Sequence, residues 1–234
     1  SSSHPESTRD VDDHLVRTAY LRKLKSMRKK WFALYEESVA GGSGVVTGQS
    51  VPAHLEYHDN ERKWRAGFPP KRDIVLQTCL NICRKQDSRD SKHKYVIALY
   101  TLEDCVSILF EHEEEHKIWL DLLLSHQQGR TADGRIPKPN YEHMWQVTVK
   151  GFRPEHAPTG GARGFQMTGS HRVVVTSTEI RFFPIGSDDP IVFHLNCLRG
   201  CVFNDRIFKL ETGRSSVSGP GTIVIECEDK DISQ

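Results

Sequence analysis

Residues 111–128 read Glu-His-Glu-Glu-Glu-His-Lys-Ile-Trp-Leu-Asp-Leu-Leu-Leu-Ser-His-Gln-Gln, and here the period of the chain changes. Trp119, Leu122, Leu123 and His126 form one stripe at helical spacing, with Glu114, Lys117, Asp121 and Ser125 opposite. Glu113, Glu114 and Glu115 fall in the first turn, where carboxylates offset the positive end of a helix dipole. Upstream the signal is different. Short strand-like runs recur at Ala19-Tyr-Leu, Trp31-Phe-Ala-Leu-Tyr35, His54-Leu-Glu-Tyr57, Asp73-Ile-Val-Leu76, Tyr95–Tyr100 and Val106–Phe110. Turn-rich Gly41-Gly-Ser-Gly and Gly67-Phe-Pro-Pro separate them. The first half therefore reads as antiparallel strands closed by one amphipathic helix.

Downstream, residues 127–140 hold two Gly, two Pro and almost no apolar side chain, which marks a linker. This predicts a first domain over 15–128, a linker over 129–140 and a second domain over 141–234. The second half repeats the strand habit at Met144–Val149, Arg172–Thr176, Glu179–Phe183, Ile191–Leu195, Arg206–Leu210 and Thr222–Glu226, with turns at Ser187-Asp-Asp-Pro190 and Gly219-Pro-Gly221. No closing helix follows before Gln234.

Composition limits the function classes. The 234 residues carry 32 Lys or Arg against 31 Asp or Glu, with 37% hydrophobic and 27% charged residues, as in a globular soluble protein. The apolar run Ile118–Leu124 is broken by Asp121 and falls short of the ~18 residues a membrane span needs. The polar start, Ser1-Ser-Ser-His-Pro-Glu-Ser, lacks Met and reads as that of an excised or mature fragment rather than a signal peptide. Six cysteines (79, 83, 105, 197, 201, 227), no C-x-x-C pair and no N-x-[ST] sequon predict a reduced, cytosolic setting with cysteines as small buried hydrophobes. The near-zero net charge hides polarity: residues 17–30 hold seven Lys or Arg and no acid, while 111–116 hold four Glu.

Two chemistries compete for these residues. His112-Glu113-Glu-Glu-His116 fits the H-E-x-x-H pattern of zinc hydrolases, with Glu113 as general base. At ~100° per residue, however, both His fall within about 60° of Trp119 and point toward the predicted core. No third ligand follows, so the metal reading lacks its context. No G-x-S-x-G, G-K-[ST] loop or G-x-G-x-x-G is present, and no catalytic constellation or cofactor site is expected. The basic run instead suits an anion: a tight Lys25-Ser-Met-Arg28 turn brings Lys23 near Lys29 and Lys30, either as a solvated basic face or as a polyphosphate headgroup site. Nucleic acid is not expected, because Tyr20 and Trp31 are the only aromatics in the run and read as core.

Tyr20-Leu-Arg-Lys-x-Lys-Ser-Met, Lys30-Trp-Phe-Ala-Leu, Leu55-Glu-Tyr, Glu61-Arg-Lys-Trp64, Pro70-Lys-Arg-x-Ile and Leu80-Asn-Ile, with Trp119 in a final helix, resemble the pleckstrin homology domain of the insulin receptor substrate family. Trp145-Gln-Val, Leu198-Arg-Gly-Cys201 and Gly213-Arg-Ser-Ser-Val-Ser-Gly-Pro-Gly221 resemble its phosphotyrosine-binding domain. The resemblance implies a mainly β chain with one helix. It implies two pleckstrin-superfold domains, each a seven-stranded antiparallel sandwich or barrel, the second without its C-terminal capping helix and so with an incomplete groove.

The resemblance also implies an adaptor, cytoplasmic and peripherally recruited to the plasma membrane, with no enzymatic activity and no metal. Phosphoinositide headgroups would meet Lys23, Lys25, Arg28, Lys29 and Lys30. Lys30 stands where tight binders carry Arg, and a lysine offers a point charge without a bidentate fork. An Asn-Pro-x-phosphotyrosine peptide from an activated insulin-type or insulin-like growth factor receptor tyrosine kinase would meet Arg199 and Arg214. It would pair with the strand His194, Leu195, Asn196, Cys197 and Leu198. Gly200 stands where the family has a second Arg. A protein-binding role without lipid remains the alternative for the first domain. Tyr141-Glu-His-Met144 matches Y-x-x-M but runs into the Met144-Trp145 strand, which favours a role in the fold.

Overall fold

The computed structural model describes residues 13–39, 50–85, 93–157 and 164–227. The Gly41-Gly-Ser-Gly turn, the polar N-terminus and the end of the chain at Gln234 lie outside the described residues. Contacts divide the chain into two compact units, Ser1–Asn140 and Tyr141–Gln234.

The first unit runs β1 (Leu15–Lys23), β2 (Lys29–Tyr35), β3 (Ser38–Val39), β4 (Ser50–Val51), β5 (His54–His58), α1 (Glu61–Arg65), β6 (Arg72–Val75), β7 (Asn81–Lys85), β8 (Tyr95–Tyr100), β9 (Cys105–Phe110) and α2 (Glu113–Gln128). Seven of the strands form one antiparallel sheet in the order β6-β5-β2-β1-β9-β8-β7, and β3 and β4 make a separate ribbon. The first and last strands of the sheet meet through Arg22↔Leu109 and Lys23↔Ile108. The core on its inner face gathers Phe32, Leu34, Leu55, Ile82, Leu99 and Ile108 around Trp119 and Leu123 of α2.

The second unit runs β10 (Trp145–Pro154), β11 (Gly169–Val175), β12 (Glu179–Pro184), β13 (Ile191–His194), β14 (Leu198–Asn204), β15 (Ile207–Thr212) and β16 (Gly221–Cys227). Its sheet order is β13-β12-β11-β10-β16-β15-β14. Counting sheet strands from the first in each unit, both orders read 4-3-2-1-7-6-5, so the two halves share one topology. Val147, Val149, Phe182, Phe193, Leu210, Ile223 and Ile225 fill its core. Gly221 is required by a close approach: a Cβ there would lie 2.5 Å from the Arg153 carbonyl oxygen and from the Phe152 ring. No helix among the described residues is long and apolar enough to cross a membrane.

The mainly β fold with two seven-stranded antiparallel sheets is as expected, with three differences. A second helix, α1, follows β5, capped by the Asn60 side chain accepting from the Lys63 N–H at 2.9 Å. Five residues are too few to show a helical period. The buried face of α2 is rotated from the expected stripe: His116, Trp119, Leu123, Leu124 and Gln127 are buried, while Leu122 and His126 are half-exposed. A polar residue reaches the inner face because the Gln127 amide donates to the Cys79 carbonyl at 3.2 Å. Finally, Tyr20 is not a core residue. It is 46% exposed and lies edge-on to buried Trp31, with its hydroxyl accepting from the Glu61 N–H at 3.0 Å.

The rotated face has an energetic signature. Trp119→Ala should destabilise the first unit by about 3–5 kcal/mol and Leu124→Ala by about 2–5 kcal/mol, as cavities in a close-packed core do. Leu122→Ala should cost clearly less than Leu124→Ala in urea unfolding followed by circular dichroism. Equal costs at 122 and 124 would return the helix to the phase read from sequence.

Candidate functional site

Alternation along paired strands decides which cations of the 17–30 run can act together. Leu21 pairs with Lys30 and Phe32 with Tyr57, so Lys23, Lys30 and Tyr57 lie on one face of the sheet, at the end of the row that includes core residues Leu21 and Phe32. Lys23 donates to the Tyr57 hydroxyl at 2.8 Å, with its ammonium 4.6 Å from the ring centroid. Lys30 bonds Asp59 Oδ1 at 2.7 Å. Lys29 occupies the opposite face and lies 3.8 Å from Glu111. Of the five cations expected to converge, Lys23 and Lys30 share one face of the sheet, on different partners. Lys25 and Arg28 sit exposed in the turn, which Met27 closes at φ +55°, and Lys29 points away.

Two further lysines join Lys30. Lys63 of α1 bonds Asp59 Oδ2 at 2.8 Å, and Lys71 lies 3.6 Å from the same oxygen. The Lys30 and Lys63 ammoniums hold the Asp59 carboxyl well below the usual carboxylate range. Sequence reading missed Lys63 and Lys71, although Asp59 and Lys63 stand at the i,i+4 spacing of a helical ion pair. The result is a cluster of Lys30, Lys63 and Lys71 on one carboxylate, beside Lys23 on Tyr57.

In the second unit, Arg199 is the second residue of β14 and its Nη1 donates to Glu155 Oε2 at 2.9 Å. Arg214 follows Gly213, whose N–H donates to the Cys197 carbonyl at 2.7 Å and so pins the turn beside β14. A Cβ on Gly213 would stand 3.0 Å from that carbonyl and 3.6 Å from Arg199 Nε, so the glycine lets the arginine stem lie against the turn. The Glu155 carboxyl is held below its ordinary value, first by the Arg199 hydrogen bond and charge, with His156 and Arg214 adding to it. Arg199 alone bonds this carboxylate, while Arg214, fifteen residues on in sequence, follows the glycine that lies against the Arg199 side chain. Sequence reading missed Glu155, which no spacing rule links to either arginine.

The expected pairing strand over His194–Leu198 is corrected. His194 ends β13, Leu195–Cys197 is a 3-10 turn, and Leu198 begins β14. The turn is closed by the Leu198 N–H donating to the Leu195 carbonyl and cannot present a regular ladder. Among the described residues, the sheet edge next to Arg199 is β14 itself, which pairs with β15 alone. Its Val202 and Phe203 side chains are exposed.

The H-E-x-x-H residues separate. His112 is the exposed residue preceding α2, whereas His116 is 1% exposed, with Nε2 on the Val96 carbonyl at 3.1 Å and Nδ1 beside Arg84 at 3.3 Å. Burial is the first cause holding His116 below its ordinary pKa. The expected inward orientation holds for His116 and fails for His112, because the helix begins after it. Cys79, Cys83 and Cys227 are buried as expected, with burial pushing the Cys83 thiol up to about 12, but Cys201 is exposed and Cys105 and Cys197 are half-buried. Tyr141 packs edge-on against Phe183 and accepts from Arg181 Nη1 at 3.0 Å, a role in the fold.

No family model matches the chain. It is 32% identical to insulin receptor substrate 1 of Homo sapiens over 267 residues, covering 100% of this chain and 20% of that protein. It is 30% identical to human insulin receptor substrate 2 over 263 residues, covering 94% and 19%. Insulin receptor substrate 1 of Drosophila melanogaster is 32% identical over 233 residues, covering 95% and 22%. The chain spans about a fifth of the length of these relatives. Among solved structures, the C-terminal PH domain of human pleckstrin matches 55% of this chain and 98% of that chain, at 19% identity and a TM-score of 0.35.

Asp59 carries a pH signature. Its folded pKa lies below that of the unfolded chain, so its contribution to stability is complete above the usual carboxylate value of about 3.9 and is lost as pH falls below it. Asp59→Asn should therefore be less stable than wild type at pH 7, and the gap should narrow below about pH 4. Urea midpoints measured from pH 7 to pH 2.5 check this; a constant gap would detach Asp59 from its lysines.

Proposed function

This chain is a relative of the insulin receptor substrates along its whole length, and we propose that it is an adaptor module of insulin-type receptor tyrosine kinase signalling. Residues 15–128 act as a pleckstrin homology domain recruited peripherally from the cytoplasm to phosphoinositides of the plasma membrane. Residues 141–234 act as a phosphotyrosine-binding domain for an Asn-Pro-x-Tyr motif of an activated receptor. Neither unit is proposed to catalyse a reaction.

The observation that carries this reading is Arg199 held on the Glu155 carboxylate in a strand that is a sheet edge among the described residues, with Gly213, the neighbour of Arg214, against its side chain. Phosphotyrosine brings about −1.5 to −2 charge and three strong acceptor oxygens, which suits paired guanidiniums. Among the described residues β14 is an edge strand, which suits it to pairing with an added peptide strand. The Lys23, Lys30, Lys63 and Lys71 cluster, with Lys25 and Arg28 above it in the turn, supports the lipid role. Each basic residue near an anionic surface adds about 1 kcal/mol, and a site built of lysines favours recruitment by several weak signals.

Titration calorimetry tests the peptide role. A phosphorylated Asn-Pro-x-Tyr peptide should bind the full chain saturably, and Arg199→Ala or Arg214→Ala should weaken it by roughly tenfold or more, as charged hydrogen bonds do. Equal heats for phosphorylated and unphosphorylated peptide would overturn it. For the first unit, sedimentation with phosphoinositide vesicles should fall on joint Lys30→Glu and Lys63→Glu exchange, with circular dichroism confirming the fold. Unchanged sedimentation would move the partner to an acidic protein segment.

A further inference from the structure

Two exposed apolar side chains frame the lysine cluster of the first unit. Strand register fixes where they leave the sheet: Trp31 pairs with His58 and Tyr57 with Arg72, so the β1–β2 turn over 24–28 and the β5–β6 segment over 59–71 emerge at the same end. Met27 stands in the first, between Lys23 and Lys30 in the chain, and is 41% exposed. Phe68 stands in the second, between Lys63 and Lys71, and is 55% exposed. Both are held outward on pinned backbone. The Met27 N–H donates to the Lys23 carbonyl at 2.7 Å and its carbonyl accepts from Arg22 Nη1 at 3.0 Å, at a φ of +55° that a residue with a side chain adopts only at a cost. The Phe68 N–H donates to the Lys63 carbonyl at 3.0 Å, and Pro69 and Pro70 stiffen the chain after it. Neither side chain belongs to the cores around Trp119 or Trp31, so packing of the fold does not account for them.

We propose that Phe68 and Met27 are apolar anchors that enter the interfacial layer of an anionic bilayer while the lysines beside them meet its headgroups. The inference rests on the phosphoinositide reading of the first unit. Ammonium groups stay at the level of the phosphates, and an aromatic or thioether side chain on the same surface reaches the boundary with the acyl chains. Burial of apolar area there adds affinity that charge alone does not supply and that a soluble headgroup cannot offer. An acidic protein segment would satisfy the lysines alone; the apolar pair set among them favours a bilayer.

Vesicle sedimentation and calorimetry on the full chain test this. Phosphatidylcholine vesicles carrying phosphatidylinositol bisphosphate offer headgroup and bilayer together, and inositol trisphosphate offers the headgroup alone. Phe68→Ala and Met27→Gln should each weaken vesicle binding by about three- to tenfold, the range of a partly buried apolar side chain, and leave the affinity for inositol trisphosphate unchanged. Phe68→Trp should bind vesicles at least as well as wild type. The loss in Phe68→Ala should persist at raised salt, since transfer of apolar surface is not screened. Vesicle binding unchanged in either variant, or an equal loss for vesicles and for inositol trisphosphate, would overturn the anchors and leave the phosphoinositide reading intact. Wild type that does not bind the vesicles would overturn both.

Discussion

Antiparallel pairing between strands that are neighbours in sequence, with side chains alternating across the sheet, is the constraint on which the rest of this molecule depends. In the first unit the Leu21↔Lys30 register puts Lys23 and Lys30 on the core side and turns Lys29 to the other face. A slip of one residue would exchange Lys29 for Lys30 and Trp31 for Phe32, misfitting the core and dispersing the cations together. Core and candidate site are therefore specified by the same register. In the second unit, pairing of β14 with β15 brings the start of one strand beside the end of the other, and the Gly213–Cys197 bond holds the residue before Arg214 against Arg199.

Both candidate sites hold their cations on a resident carboxylate. Asp59 gathers Lys30, Lys63 and Lys71, and Glu155 takes Arg199 within the field of Arg214. Clustered like charges repel, and an internal anion lets them be assembled before any ligand arrives. The two sites differ in chemistry. Lysines offer point charges to a ligand with several phosphates, whereas guanidiniums offer a planar fork to one phosphate. The net charge of +1 conceals both arrangements, since each cluster carries part of its own compensation.

Much of the fold was legible because strands and helices differ in period. Strand runs around Trp31–Tyr35, Tyr95–Tyr100 and Thr222–Glu226 showed themselves through β-branched and aromatic residues, and α2 through its stripe. The phase of that stripe was not, because a buried glutamine at 127 found a carbonyl partner that no pattern announces. β14 lacked a signal of its own, with Arg199 and Gly200 interrupting its apolar alternation. The individual arginines and the Lys23–Lys30 run could be named in advance. Their partners could not: Asp59, Lys71 and Glu155 enter through tertiary contacts, and Glu155 lies forty-four residues from Arg199.

Arg199 and Arg214, from separate segments, are proposed to form one site for one phosphate. Arginine side-chain Nε–Hε resonances, followed by NMR while a phosphorylated Asn-Pro-x-Tyr peptide is added to the full chain, report on it directly. Signals from Arg199 and Arg214 should shift together with one saturation curve, and neither should respond to the unphosphorylated peptide. Movement of one arginine alone, or equal movement with both peptides, would contradict the account.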